Sequence, residues 1–253
     1  MSGHSKWHSI KHKKSKEDAK RGQLFGKLSQ KIAVAARLGG GNPDANPALA
    51  SAIELARSYS MPMENIKRAI AKGTGEGSGG SQLEPVSFEG YGEGGVAILV
   101  EALTDNRNRT TSDVRRVFTR AGGRLGEAGS VAWIFEKKGV FLIRKDQAPD
   151  EEELLAIALD GGADDMKSEG EDYWEIVTDV EHFRTVRDKL VEAGVEPESA
   201  ELTMFPKTTV KLDRESARKV LRLVEALEEL DDVHDVYANF DIPDEVMEEM
   251  ASL

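Results

Sequence analysis

The first 37 residues of the sequence concentrate side chains that bind phosphate. Ten of these residues are Lys or Arg and only Glu17 and Asp18 are acidic, although the whole chain has a formal net charge of −12. A basic segment on an acidic protein attracts a partner that the rest of the molecule repels, and the commonest such partner is a phosphate backbone. The side chains expected to bind nucleic acid here are Lys6, Trp7, Lys11, His12, Lys13, Lys14, Lys16, Lys20, Lys27 and Lys31.

A second basic cluster lies between residues 106 and 124, where six arginines accompany a single acid, Asp113. Asn and Thr side chains precede a predicted helix there, and the N–H groups of a helix start favour anions. Arginine next to such groups suits phosphate and sugar contacts. The members of this cluster expected to bind nucleic acid are Arg107, Asn108, Arg109, Arg115 and Arg116. The alternative is that these arginines pair with an acidic domain of the same chain.

The other polar clusters give no persuasive catalytic or metal site. His4, His8 and His12 are four residues apart and could share a helix face, but the surrounding lysines disfavour a divalent cation. Acidic clusters fall at predicted helix starts and turns, where carboxylates have a capping role. The sequence contains no Walker loop, G-x-S-x-G or H-E-x-x-H motif. We therefore expect no enzymatic activity, no catalytic residue, no metal and no cofactor.

The composition, 39% hydrophobic and 32% charged, is that of a soluble globular protein. No uncharged apolar run approaches the length of a membrane span, and no secretory signal pattern is present at the start. The chain has no cysteine, which excludes disulfides and thiol chemistry. These features predict a cytoplasmic protein, and we expect a monomer.

The first 80 residues are predicted to form a small helical domain. Apolar residues recur at helical spacing over residues 16–37, after Asn46-Pro47, and from Met63 to Lys72. On the first helix, the lysines lie beside the apolar stripe and form a ridge. Residues 73–81 form a Gly/Ser linker. They contain a formal G-x-G-x-x-G pattern, but neither a preceding strand nor a following helix supports a dinucleotide site.

The remainder is predicted to be α/β. Residues 96–103, 111–121 and 130–136 form a strand, a helix and a strand. Tyr91 and Trp133 could stack on bases, but Trp133 lies in an apolar strand and is expected in the core. Residues 139–206 contain two complete β-α-β halves, as in a ferredoxin-like domain, and carry 6 basic and 19 acidic side chains. Residues 207–253 form one more half, whose mate is 95–136. We thus predict an α+β protein with an N-terminal three-helix domain (1–80), a discontinuous ferredoxin-like domain (81–138 plus 207–253) and an inserted acidic ferredoxin-like domain (139–206).

Several longer motifs occur along the chain: SGHSKW at 2–7, IKHK at 10–13, TDNRNRT at 104–110, GGRLG at 122–126 and GSVAW at 129–133. They resemble motifs of the YebC family, whose mitochondrial member is the translational activator of cytochrome c oxidase. The resemblance covers essentially the whole chain. Small departures at His8 and Ser9, where many relatives are expected to have Ala and Asn, leave the charge pattern intact.

The resemblance implies a helical N-terminal domain followed by two α/β domains, and a cytoplasmic regulator of gene expression without catalytic activity. Bacterial members are customarily described as probable transcriptional regulators that bind DNA. Others act on translation at the ribosome, including relief of stalling at proline-rich stretches. The resemblance transfers no catalytic residue.

Two functions are consistent with these patterns. The first is a non-enzymatic regulator that binds DNA, ribosomal RNA or transfer RNA, and with it the ribosome. The chain shows no evident helix-turn-helix, so shape and backbone recognition of RNA fits at least as well as base-specific reading of DNA. The alternative is an acidic scaffold that binds a basic protein partner through residues 139–206.

Overall fold

The computed structural model describes residues 21–75, 84–169, 172–243 and 245–246. No helix within these residues is both long and apolar enough to cross a membrane. The described α-helices are α1 (Arg21–Gly39), α2 (Pro47–Ser58), α3 (Met63–Thr74), α4 (Arg107–Arg120), α5 (Glu151–Asp160), α6 (Phe183–Glu192) and α7 (Arg214–Glu228). The described strands are β1 (Glu84–Tyr91), β2 (Ala97–Thr104), β3 (Arg124–Leu125), β4 (Phe135–Arg144), β5 (Ala163–Glu169), β6 (Tyr173–Asp179), β7 (Ser199–Pro206), β8 (Val210–Lys211), β9 (Val233–Ala238) and β10 (Phe240–Asp241).

The three N-terminal helices pack around one small apolar core, as the sequence predicts. Leu28 and Ile32 of α1, Leu49 and Ile53 of α2, and Ile66 of α3 are all buried in it. Each helix therefore contributes one apolar stripe at a spacing of three or four residues. The predicted first turn of α1, residues 16–20, lies outside the described residues.

Two local features hold these helices in place. The side-chain oxygen of Asn46 accepts the N–H of Leu49 at 3.1 Å and caps α2, and Pro47 follows at the first helical position. Gly73 allows α3 to approach α1 closely, because a Cβ at this position would lie 2.2 Å from the carbonyl oxygen of Ala33. The cap was predictable from the sequence, whereas the glycine contact depends on how the helices pack.

The described residues 21–132 and 215–238 form one compact unit with a four-stranded antiparallel sheet in the order β3-β1-β2-β9. The β1–β2 hairpin lies at the centre of this sheet. Helices α4 and α7 pack on the same face, since Phe118 and Leu223 both lie 3.2 Å from a Cβ placed on Gly123. This packing holds α4, which carries most of the second basic cluster, against the sheet.

Residues 133–214 and 239–246 form the other unit, with a sheet in the order β5-β6-β4-β7. Its strands alternate with helices as β4-α5-β5-β6-α6-β7, which is the ferredoxin-like arrangement predicted for residues 139–206. Both helices pack on one face, over Phe141, Ile143 and Ile176. Strands β8 and β10 pair in parallel as a separate two-stranded sheet in this unit. The predicted α+β fold, helices first and antiparallel sheets after, is confirmed.

The predicted strand at residues 130–136 is wrong. Ala132–Ile134 is a short 3₁₀ turn, and Phe135 begins β4. The reason is the side chain of Glu89, which accepts the N–H groups of Val131 and Ala132, so these groups do not take part in a strand ladder. Trp133 is consequently 68% exposed and not in the core as predicted.

Three further elements differ from the sequence pattern. The helix predicted at 111–121 begins four residues earlier, at Arg107, because Asn106 caps it. Strand β1 was not predicted, although Val86 and Phe88 alternate with Ser87 and Glu89 before the glycine. Residues 210–211 pair with β10 and not with the sheet that contains β9. The division into three domains with the boundaries given above stays a prediction.

Candidate nucleic-acid interface

The start of α4 is a capped helix N-terminus. Asn106 accepts the N–H of Arg109 through its side chain at 3.1 Å, and its own N–H donates to the hydroxyl of Thr104 at 2.9 Å. The first turn of α4 contains no acidic residue. The helix dipole at this end is therefore not neutralised by a carboxylate in that turn.

Asp232, in the loop before β9, organises the residues around this helix start. Its carboxylate accepts the hydroxyl of Thr110 at 2.6 Å and two contacts from one guanidinium nitrogen of Arg109 at 2.8 and 3.0 Å. Thr110 also hydrogen-bonds Thr104 at 2.8 Å. Both threonines are buried, so these hydroxyls need partners within the protein.

Two of the arginines expected to bind nucleic acid are engaged within the protein. Arg109 contacts Asp232 and Asp105, and the hydrogen bond to Asp232 raises the pKa of its guanidinium. Arg116 pairs with Asp113 one turn earlier at 2.8 Å. These acids belong to the same unit as the arginines, so neither pair is the contact with the acidic inserted domain that the sequence left open.

The other members of the cluster are open to solvent. Arg107, Asn108, Arg115 and Arg120 are exposed. Within the described part of the chain, Arg107, Arg115 and Arg120 form no ion pair. At about 100° per residue, Arg107, Asn108 and Arg115 fall in a sector roughly 100° wide. Arg107 and Asn108 lie at the capped end of the helix, and Arg115 lies about two turns further on. We call Arg107, Asn108 and Arg115 the α4 stripe.

The described lysines of α1, Lys27 and Lys31, are less exposed than the predicted lysine ridge requires. Lys31 donates to Asp235 of β9 at 2.5 Å and is only 27% exposed, while Lys27 is half-buried. Burial by itself would raise the pKa of Asp235, but the charge of Lys31 and the hydrogen bond with His234 outweigh it and keep the pKa well below its usual range. Lys31 therefore helps to hold α1 against the sheet. Lys6, Trp7, Lys11, His12, Lys13, Lys14, Lys16 and Lys20 lie outside the described residues.

Helices α1 and α4 approach the sheet from opposite faces. Gly90 faces α4, because a Cβ there would meet Phe118 at 2.6 Å, and Gly90 pairs with Ile98. Glu101, three residues after Ile98, points to the other face and pairs with Asp235, the partner of Lys31. The described lysines of α1 and the α4 stripe thus do not share one face of the sheet.

The two helices nevertheless meet at one loop. Gln30 of α1 donates to the carbonyl oxygen of Asp231, and Arg109 of α4 binds the carboxylate of the next residue, Asp232. This loop therefore links the helical domain to the start of α4.

One group of side chains has the composition of a metal site. The ligand atoms of Glu101, His234 and Asp235 lie within 4.8 Å of one another. The ammonium of Lys31 already neutralises Asp235 in this group, and His234 hydrogen-bonds the same carboxylate at 3.1 Å. The group is accounted for as the anchor of α1 on the sheet.

Trp133 is exposed, whereas the sequence pattern favoured a place in the core, so the pattern undervalued this residue as a functional candidate. Its apolar neighbours Val131, Ile134 and Phe135 are buried and made it resemble a core residue. The buried carboxylate of Glu89 binds the main chain just before Trp133, and the indole is left exposed. The sequence alone gives no sign that this glutamate is buried. Tyr91, proposed as a stacking residue, is half-buried beneath the guanidinium of Arg124 at 5.1 Å and donates its hydroxyl to Ser130.

The fold and the geometry define a class of protein. It is an α+β protein with an N-terminal three-helix domain, two antiparallel sheets and an exposed basic helix start. Residues 5–76 match the model described as the TACO1/YebC protein N-terminal domain, and residues 83–240 match the TACO1/YebC second and third domain. The chain belongs to the TACO1/YebC family.

Similar proteins span the full length of the chain. A probable transcriptional regulatory protein of Rubrobacter xylanophilus is 57% identical over 251 residues, which cover 99% of this chain and 100% of the relative. A probable transcriptional regulatory protein of Dictyoglomus turgidum is 53% identical over 251 residues, which again cover 99% of this chain and 100% of the relative. The crystal structure of a conserved hypothetical protein from Aquifex aeolicus is 51% identical with a TM-score of 0.78, and the match covers 90% of this chain and 93% of that one.

Proposed function

We propose that this chain is a non-enzymatic, cytoplasmic regulator of gene expression that binds nucleic acid mainly through the phosphate backbone. The observation that carries the proposal is the α4 stripe, where Arg107 and Asn108 are exposed in a first turn without acidic residues and Arg115 is exposed about two turns further on. Neither arginine forms an ion pair with a described residue. Such an arrangement suits phosphate and sugar oxygens. The names of the two relatives, probable transcriptional regulatory proteins, support a regulatory role.

The N-terminal lysines complete the proposed binding region. Residues 1–20 contain six lysines and two acidic residues, and they lead directly into α1. Of the α1 lysines, Lys31 is assigned to the anchor on Asp235, so its contribution to binding is indirect. Arg109 is likewise a positioning residue, since it holds the loop at Asp232.

The α4 stripe is tested by charge reversal in the full chain. Changing both arginines, Arg107→Glu and Arg115→Glu, should weaken binding to a short single-stranded RNA about tenfold or more, because phosphate contacts are replaced by repulsion. Fluorescence anisotropy at constant salt measures the dissociation constants. Both side chains are exposed, so the variant should fold normally.

The matched control carries the same change in net charge on the other unit. Arg184→Glu with Lys207→Glu alters two exposed side chains there. This control should retain affinity close to that of the unmodified chain. Equal weakening in both variants, or no weakening in the α4 variant, would contradict a local phosphate site on α4.

The choice between DNA and RNA is made by the nucleic acid recovered after crosslinking in cells. Ribosomal or transfer RNA fragments would place the protein in translation, including the relief of stalling at proline-rich stretches. Discrete promoter fragments would place it in transcription. No recognition helix for base edges was predicted from the sequence, and we favour RNA, whose shape and backbone can be read by such contacts.

The acidic scaffold is the second candidate. Three large apolar side chains of the second unit, Leu155, Leu159 and Val191, are exposed, and Leu159 and Leu155 are one helical turn apart on α5. Exposed apolar side chains within an acidic surface suit a basic, amphipathic protein partner. In that case, charge reversal on α4 would leave complex formation with this partner unchanged.

A further inference from the structure

The sheet of the second unit has two buried faces, and the described helices cover only one of them. Helices α5 and α6 cover the face with Phe141, Ile143 and Ile176. On the opposite face, Val140, Leu142 and Val177 are also buried, at 5% exposure or less. The described helices of this unit do not account for that burial.

The buried face contains an acid whose hydrogen bonds are not satisfied. Glu175 pairs with Leu142 in the strand register, lies beside Val140 and Val177, and has 0% exposure. Lys167 lies 3.2 Å from one carboxylate oxygen, and the other oxygen accepts no hydrogen bond from a described residue. Burial raises the pKa of Glu175, and the charge of Lys167 opposes this. A buried carboxylate in such surroundings needs donors or a further cation.

The described residues near this face do not supply those donors. Lys138 already binds Asp164 and Asp179, at 2.9 and 2.6 Å. Phe240 and Ile242, buried in the same unit, are apolar. Donors to Glu175 other than Lys167 therefore come from outside the described residues: from a further segment of the chain, a partner or water.

The segments beyond the described residues differ in charge. Residues 76–83 and 170–171 each contain one acidic and no basic side chain. Residues 244–253 contain four acidic and no basic side chains, so they would repel Glu175. Residues 1–20 contain six lysines and two acids, and the surrounding stretch 139–206 contains 19 acidic against 6 basic side chains. Complementary charge therefore selects the N-terminal segment.

We propose that the sheet face around Glu175, Val140, Leu142 and Val177 is a docking site for the basic N-terminal segment, residues 1–20, of the same chain. Docking satisfies the buried carboxylate with lysine or main-chain donors. It also sequesters the lysines that are proposed to bind nucleic acid, so the acidic domain competes with nucleic acid for one segment. This competition, but not the docking, rests on the proposed function.

The docking is measured without nucleic acid. Because the chain has no cysteine, Ser5→Cys provides a single site for a nitroxide spin label on the full chain. The label should strongly broaden the methyl NMR signals of Val140, Leu142 and Val177. The methyl signals of Leu155 and Leu159, on the exposed side of α5, serve as the internal control and should stay sharp.

Two outcomes would overturn the docking. One is the absence of broadening at the sheet face, or equal broadening at Leu155 and Leu159. The other is broadening of the same signals by a label at Ser252→Cys and not at Ser5→Cys, which would assign the face to the C-terminal segment.

The role of Glu175 is tested by Glu175→Gln, which removes the charge and retains the shape. It should reduce the broadening and raise the affinity for single-stranded RNA several-fold. If this core variant does not fold, Lys11→Gln with Lys13→Gln and Lys14→Gln tests the same attraction from the segment side and should also reduce the broadening. Unchanged broadening in these variants would contradict the electrostatic basis.

Addition of a uridine oligonucleotide separates the two proposals. Docking with competition requires that the oligonucleotide restores the broadened signals. Broadening that persists while the oligonucleotide binds would show docking without competition and overturn the regulatory part alone. Absence of oligonucleotide binding, with docking intact, would be a failure of the proposed function only.

Discussion

At the scale of single residues, Glu89 has the clearest structural role. Its carboxylate accepts three main-chain N–H groups, from Gly129 at 2.6 Å, Val131 at 2.6 Å and Ala132 at 2.8 Å. Burial by itself would raise the pKa of Glu89, but these three hydrogen bonds to the ionised form outweigh it and lower the pKa. The carboxylate thereby fixes the loop that leads into Trp133 and β4.

We expect Glu89→Gln to destabilise the protein by about 2 to 4 kcal/mol, because an amide cannot accept all three N–H groups and leaves buried donors unsatisfied. Urea unfolding followed by circular dichroism gives the free energy of unfolding. Glu127→Gln, an exposed change near the same loop, is the control and should have little effect. Equal stability of Glu89→Gln and the unmodified chain would refute the role of the carboxylate.

The same residue predicts a pH dependence. Because the pKa of Glu89 is lower in the folded state than its ordinary value of 4.5, its contribution is fully present above about pH 5. It is lost as the pH falls through the folded-state pKa. The stability difference between the unmodified chain and Glu89→Gln should thus be constant near neutral pH and shrink below about pH 4.5.

At the scale of elements, α4 shows how a cap and a tertiary contact act together. Asn106 satisfies the N–H of Arg109, and Asp232 binds the Arg109 guanidinium and the Thr110 hydroxyl. The cap sets where the helix begins, and the loop before β9 sets its position against the sheet. The α4 stripe depends on both.

Asn106→Ala should cost about 1 kcal/mol of stability, the usual effect of removing an N-cap side chain. Hydrogen exchange of the Arg109 amide should accelerate more than that of amides in the middle of α4, because this amide loses its acceptor. The control is Ser112→Ala, an exposed position whose hydroxyl donates to the carbonyl oxygen of Asn108 and caps nothing. A similar loss of Arg109 protection in both variants would argue against the cap.

At the scale of the whole molecule, the distribution of charge is more informative than its total. Residues 1–37 carry ten basic and two acidic side chains, while residues 139–206 carry 6 and 19. The chain as a whole repels phosphate, so binding must be local and should depend steeply on salt.

We expect the salt dependence of RNA binding to report the N-terminal lysines directly. Replacing Lys11, Lys13, Lys14 and Lys16 by Gln should reduce the slope of log K against log salt by about 2.8, if each lysine contacts one phosphate of a single strand. Titrations at four salt concentrations measure the slope. The control replaces four exposed lysines elsewhere, Lys72, Lys137, Lys207 and Lys211, by Gln. An unaltered slope in the N-terminal variant would remove this segment from the proposed interface.

The sequence by itself determined the class of fold and the partition of charge. Amphipathic spacing identified α1, α2 and α3, the Asn46-Pro47 pair located the start of α2, and alternating strands and helices indicated the ferredoxin-like order of the second unit. These features are local: each follows from side-chain periodicity or from a cap within a few residues.

Only the tertiary structure decided which charged side chains are open to a ligand. Lys31 and Arg109 looked in the sequence like the other cations, but Asp235 and Asp232, more than 100 residues away, neutralise them. Trp133 looked apolar and internal, but Glu89 binds the adjacent main chain and keeps the indole exposed. The reason is the same in each case. An ion pair or a buried carboxylate depends on contacts between distant segments, which periodicity within one segment does not encode.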